Sequence, residues 1–244
     1  MNWMQENCIS IELHDERRSG RSICASFNGE LRDEQAAAFE ALSAHDTGVL
    51  SATTAFGKTV IGAALIAEKK VSTLILVHRA QLMEQWKERL AQFLAIDDVL
   101  PPQPRRRGRQ KKREIIGCYG AGRDTRCGMI DIAMLQSMGN SDEIQPWIHD
   151  YGMVIVDECH HVPAVSFEQV LKAVSAKYVY GLTATPKRQD GHHPILYMYK
   201  PLRGYRRTLL FQPGIHVFRF CHDPQQHGER LVLSQAIEAY SSSL

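Results

Sequence analysis

Two short segments carry residue types that together can do phosphate chemistry. Residues 52–59 read Ala52, Thr53, Thr54, Ala55, Phe56, Gly57, Lys58, Thr59, and they follow an apolar run and open a helical pattern. A loop in that position aims backbone N–H groups and the positive end of a helix dipole at an anion. The backbone from Thr54 through Gly57 would then cradle phosphate oxygens, and Lys58 would reach the β- and γ-phosphates of a nucleotide as a point charge. The Thr59 hydroxyl would ligate Mg2+, whose octahedral shell is completed by waters and phosphate oxygens. A strand-to-helix turn capped by a threonine is the competing structural explanation.

The second segment is Val154, Ile155, Val156, Asp157, Glu158, Cys159, His160, an apolar strand that ends in paired carboxylates. Asp157 is suited to hold Mg2+ through a water, and Glu158 to orient and polarise an attacking water for in-line hydrolysis. An isolated Asp-Glu pair is more often a solvated strand end. Here an apolar strand delivers the pair downstream of a phosphate loop, and that context favours the metal-and-water reading. His160, His161 and Cys159 do not read as a zinc site, because successive side chains of a strand end point in different directions.

Such residues must be positioned by a sheet, and the pattern supplies one. Short β-branched runs at 48–51, 73–77, 115–118, 130–135, 153–157 and 178–182 alternate with helical stretches, the signature of an α/β fold with a mostly parallel sheet covered on both faces. In the helix expected over 79–94, Leu82, Trp86, Leu90 and Leu94 repeat at four-residue spacing and form one apolar stripe. An earlier helix over 31–45 carries Leu31, Ala38, Phe39 and Leu42 on one side. The phosphate loop and the Asp157–Glu158 pair should then meet at the carboxyl edge of the sheet.

Composition limits the alternatives. With 44% hydrophobic and 23% charged residues the chain reads as an ordinary globular protein, and a net charge of +2 does not by itself announce a nucleic-acid binder. No apolar run reaches the ~18–20 residues that span a bilayer. Six cysteines without a CxxC pair argue for free thiols and a cytoplasmic setting. Residues 101–113 hold three prolines and seven Lys or Arg residues, which reads as a surface loop. After about Pro201 the alternation stops, although 209–220 has the pattern of a hairpin around Pro213 and Gly214.

The order of these segments resembles superfamily 2 helicases, in the group that contains xeroderma-type repair helicases and restriction-enzyme motor subunits. The likeness spans about residues 31–190. Residues 52–59 resemble motif I, 76–86 motif Ia, 157–160 motif II, and Thr183, Ala184, Thr185, Pro186 motif III. The resemblance implies a RecA-like P-loop NTPase domain that uses ATP and Mg2+. It implies that Arg32 and Gln35 help hold the adenine, positions that by residue type alone read as helix surface. It implies that His160, Thr183 and Thr185 couple the nucleotide site to DNA, and that Arg79 contacts a nucleic-acid phosphate. Gly120, Gly122, Arg123, Gln136 and Ser137 resemble the neighbouring motif Ib region, where backbone N–H groups approach phosphates. The sequence departs from the family at Ala55, where such loops usually have a second glycine. Either Ala55 has a negative φ or the loop is strained.

The organisation that follows is residues 1–30 as the end of an upstream segment, 31–200 as the ATP-binding domain, and 201–244 as a tail too short for a second RecA-like domain. The expected function is the ATP-binding half of a DNA helicase or translocase, with RNA not excluded and a second RecA-like domain or subunit as partner. The alternative is a nucleotide- and DNA-binding module without turnover. A P-loop kinase fits less well, since a water-polarising Glu158 does not serve phosphoryl transfer to a small molecule.

Overall fold

The structure, a computed structural model, describes residues 15–99, 114–138, 144–158, 173–184, 206–212 and 215–220. Along the chain the strands are β1 (Ala25–Phe27), β2 (Thr47–Ala52), β3 (Thr73–Val77), β4 (Leu94–Ile96), β5 (Ile116–Gly120), β6 (Arg123–Asp124), β7 (Ile130–Met134), β8 (Met153–Asp157), β9 (Tyr178–Thr183), β10 (Arg206–Gln212) and β11 (Ile215–Phe220). The helices are α1 (Asp33–Ser43), α2 (Lys58–Lys69) and α3 (Ala80–Phe93).

Nine strands form one sheet in the order β10-β11-β2-β9-β8-β3-β7-β5-β6. From β2 to β5 every neighbouring pair is parallel. The α/β reading of the sequence is met, and the strands expected at 73–77 and 153–157 have those bounds. The 209–220 hairpin is present as β10 and β11, and β11 adds antiparallel to β2, so the sheet continues beyond residue 200. The sequence reading did not foresee that docking. It also missed the small antiparallel pair β1 and β4, which, with Ile23 and Ala25 in the main core, packs residues 23–27 onto the domain.

Strand alternation sorts the core into two faces. Leu50, Ala52, Ile75, Val77, Met153 and Ile155 face the layer that contains α1, α2 and α3, while Val49, Leu74, Leu76, Val154 and Val156 join the opposite cluster with Ile148 and Tyr151. In α3 the buried positions are Met83, Trp86 and Leu90. In α1 they are Gln35, Ala38 and Leu42, so a polar residue read as helix surface is in fact buried. Among the described residues no helix is long and apolar enough to cross a membrane.

One charged group lies inside the second face. Asp131 is 0% exposed and accepts hydrogen bonds from the Tyr151 hydroxyl at 2.6 Å, the Gly128 amide at 2.7 Å and the Cys127 amide at 2.9 Å. These donors offset the loss of water and pin the turn that launches β7. Burial, and then the Asp131 charge, push the Tyr151 phenol far up, so it remains a donor. Tyr151→Phe removes that donor from a buried carboxylate. Urea unfolding should show a loss of about 1.5–3 kcal/mol, and unchanged stability would contradict this role.

Candidate functional site

Side-chain parity on β8 decides where Asp157 goes. Residues Met153, Ile155 and Asp157 share the face covered by the helices, so the carboxylate enters the interface between the strand end and α3. Asp157 is 4% exposed. Its Oδ2 accepts the indole Nε1–H of Trp86 at 2.7 Å, and its Oδ1 accepts the backbone N–H of Glu158 at 2.9 Å. Burial pushes its pKa up to about 6, the Trp86 hydrogen bond opposing the shift and the Glu158 charge adding to it.

Glu158 leaves the strand with a φ of 49° and so breaks the alternation. Its Oε1 lies 4.0 Å from the Nζ of Lys58. Lys58 is the first residue of α2 and is buried, and its ammonium donates to the carbonyls of Ala52 at 3.1 Å and Thr53 at 3.3 Å. The phosphate loop and the carboxylate pair therefore meet at the carboxyl edge, because β2 and β8 are separated only by β9. Across that strand Ser51 is in register with Thr183, and Leu182 with Asp157. Thr183 is fully buried at this junction. His160 and Thr185 lie outside the described residues, as does the basic stretch 105–113.

The loop itself turns twice through left-handed backbone. Gly57 has φ 89° and Ala55 has φ 68°, so of the two outcomes left open for Ala55 the strained one is observed. Thr54 and Ala55 are exposed at the loop tip, while Phe56 is buried beneath it and Thr59 is half-buried. The carbonyl of Phe56 accepts the Arg32 Nη2 donor at 2.6 Å and the Gln35 Nε2 donor at 2.7 Å. Gln35 also accepts the Arg32 amide at 3.1 Å, which caps α1. An ideal Cβ on Gly57 would lie 2.5 Å from Gln35 Nε2. The pair Arg32 and Gln35 is thus tied to the phosphate loop, a link that residue type alone did not disclose.

The residues singled out for nucleic acid also sit at strand ends. Arg79 is exposed at the N-cap of α3, one residue beyond His78, whose carbonyl accepts the Gln136 side-chain amide at 2.8 Å. Gly120, Ala121 and Gly122 all have positive φ. At Gly120 a Cβ would lie 2.8 Å from both Met134 Cβ and Ser137 Oγ, whereas at Gly122 the surroundings are open. Arg123 is ion-paired with Glu84 of α3, so this candidate contact already has a carboxylate partner.

A family model described as the type III restriction enzyme res subunit, ResIII, matches residues 28–188. The chain is 29% identical over 194 residues to the DNA 3'-5' translocase XPB2 of Sulfurisphaera tokodaii, covering 78% of this chain and 39% of that protein. It is 30% identical over 198 residues to putative helicase 109L of Invertebrate iridescent virus 3, covering 75% of this chain and 54% of that protein. The chain spans roughly two fifths to one half of these curated relatives. Its fold is similar to the UvsW helicase from Bacteriophage T4, with a TM-score of 0.52 at 16% identity over 81% of this chain and 72% of that one. It is also similar to the Pyrococcus furiosus Hef helicase domain, with a TM-score of 0.52 at 18% identity over 69% of this chain and 36% of that one.

The two left-handed positions in the loop respond oppositely to substitution. Ala55→Gly relieves the strain and should stabilise the domain by about 1 kcal/mol, whereas Gly57→Ala should destabilise it by about 1 kcal/mol or more. Thermal unfolding of the two variants reads the signs directly, and a destabilising Ala55→Gly would contradict the strained loop.

Proposed function

The chain belongs to the ResIII family of type III restriction enzyme res subunits, and we propose that it is the nucleotide-binding half of a DNA helicase or translocase. Its fold is that of the RecA-like domain of superfamily 2 helicases. The observation that carries the proposal is the meeting of Lys58 with Asp157 and Glu158 at the ends of parallel strands separated only by β9, with Lys58 Nζ 4.0 Å from Glu158. A cation, a buried carboxylate and a second carboxylate within reach of one loop are the parts that binding and hydrolysing a nucleoside triphosphate require.

The donor set fits Mg2+. A hydroxyl at Thr59 and a carboxylate at Asp157 are hard oxygen ligands, and few protein ligands suffice when phosphate and water complete the shell. A buried carboxylate also gains from a divalent cation the charge balance that it lost on leaving water. When bound, Mg2+ neutralises charge on the β- and γ-phosphates. Lys58 exchanges the Ala52 and Thr53 carbonyls for phosphate oxygens. Glu158 orients the attacking water and takes its proton. Arg32 and Gln35 hold the adenine and, through the Phe56 carbonyl, keep the loop in register with it.

Nucleic acid runs over the same edge, contacted at phosphates by Arg79, Gln136, Ser137, Arg123 and the backbone of Gly120 and Gly122. DNA is favoured, since a relative similar over 78% of the chain carries the name DNA 3'-5' translocase. For Arg123 to contact a phosphate it must exchange its Glu84 partner. His160, Thr183 and Thr185 couple the nucleotide to this track. Full turnover draws on a second RecA-like domain, which supplies an arginine to the transferring phosphoryl group.

Lys58→Ala should lose most ATP affinity. Glu158→Gln should keep binding and lower the hydrolysis rate by about 10²–10⁴-fold. Calorimetric binding and steady-state ATPase assays separate the two, and equal loss of binding in both variants would contradict the roles. With single-stranded or duplex DNA, addition of a separately expressed second RecA-like domain should raise the rate by roughly 10³–10⁵-fold. ATP binding without turnover even then would make the protein a binding module instead.

A further inference from the structure

Trp86 is part of the apolar stripe of α3, yet it does something that an apolar residue cannot. The ring is fully buried and its Nε1–H donates to Asp157 Oδ2 at 2.7 Å, joining positions 71 residues apart in sequence. The other end of the ring lies against α2, the helix that begins with Lys58. There an ideal Cβ on Gly62 would come within 2.5 Å of Cη2 and 3.0 Å of Cζ3. A glycine inside a helix costs about 1 kcal/mol relative to alanine, and here it makes the room that the indole occupies. The indole is therefore wedged between the phosphate-loop helix and the end of β8.

The second carboxylate oxygen of Asp157 accepts the Glu158 amide at 2.9 Å. With one donor on each oxygen the plane of the carboxylate is fixed, and each oxygen keeps a further lone pair for a cation or its water. Outer donors of this kind set the orientation of a metal-ligating group. We propose that Trp86 is a positioning residue for the metal: its indole N–H holds the Asp157 carboxylate in the orientation that captures Mg2+ beside the nucleotide. Trp86 touches neither nucleotide nor metal and acts through Asp157. The proposal rests on the reading of Asp157 as the Mg2+ ligand.

Trp86→Phe keeps an aromatic ring in the wedge and removes the donor. The experiment is calorimetric binding of a non-hydrolysable ATP analogue, once in EDTA and once across a Mg2+ titration, in the unsubstituted protein and the variant. The half-saturating Mg2+ concentration should rise about tenfold in the variant, with metal-free affinity unchanged. An unchanged Mg2+ dependence, or equal weakening with and without Mg2+, would overturn the proposal, the latter because it marks a merely structural loss. A second readout needs no substitution. The Trp86 indole N–H resonance should move when Mg2+ is added to the nucleotide complex, and indifference to Mg2+ would overturn the proposal. If the unsubstituted protein binds no nucleotide in either condition, the functional reading itself fails. Intact binding with the same Mg2+ dependence in both proteins defeats only the role of Trp86.

Discussion

A carboxylate that folding removes from water at the end of a fully buried strand has to be compensated where it stands. Around Asp157 the compensation comes from two donors, the indole N–H from α3 and the backbone amide of the residue that follows, and from the positive charge of Lys58 at the start of α2, which acts without a hydrogen bond to it. Each of these three contributions has its own structural requirement. Trp86 needs Gly62, the Glu158 amide goes with a left-handed backbone at Glu158, and Lys58 needs the loop that carries it back toward β8. The compensation is incomplete, since burial still holds Asp157 at about 6. A group left in that condition does not improve stability, and the cation of the proposed function is what would complete its compensation.

Backbone strain follows the same geography. Among the described residues the non-glycine positions with positive φ are Ala55, Lys70, Ala121 and Glu158. Lys70 closes α2 in an ordinary left-handed cap. The other three stand at the carboxyl ends of β2, β5 and β8, the edge where ligands of parallel sheets bind. Strained residues persist only where their surroundings over-determine them. At Ala55 the surroundings are the buried Phe56 and the two donors on its carbonyl, Arg32 and Gln35. The adenine side and the phosphate side of the proposed site are therefore one mechanical unit.

Much of this was legible from the chain. The central strands were readable because β-branched runs bounded by helical periodicity leave little choice of period, and Lys58 and Asp157 met because both follow parallel strands. Three features were not legible. The docking of β11 on β2 depends on which sheet edge is open, which no local pattern encodes. Residues 23–27 carry no strand signal, because Ala25–Phe27 is too short to show an alternation. Trp86 fits the apolar stripe of the helix, and that stripe carries no information about its indole N–H. Two signals could have exposed it, since a buried indole N–H usually has a partner and a glycine at position 62 weakens an otherwise strong helix.

The central claim is that Lys58, Thr59, Asp157 and Glu158 form one nucleotide and metal site. A crystal structure with Mg2+ and a non-hydrolysable ATP analogue tests it most directly. The account predicts that Lys58 leaves the carbonyls of Ala52 and Thr53 for phosphate oxygens, with the metal between Thr59 and Asp157 and the Trp86 bond to Asp157 retained. A nucleotide bound away from this edge, or a Lys58 still on those carbonyls beside a bound triphosphate, would contradict it.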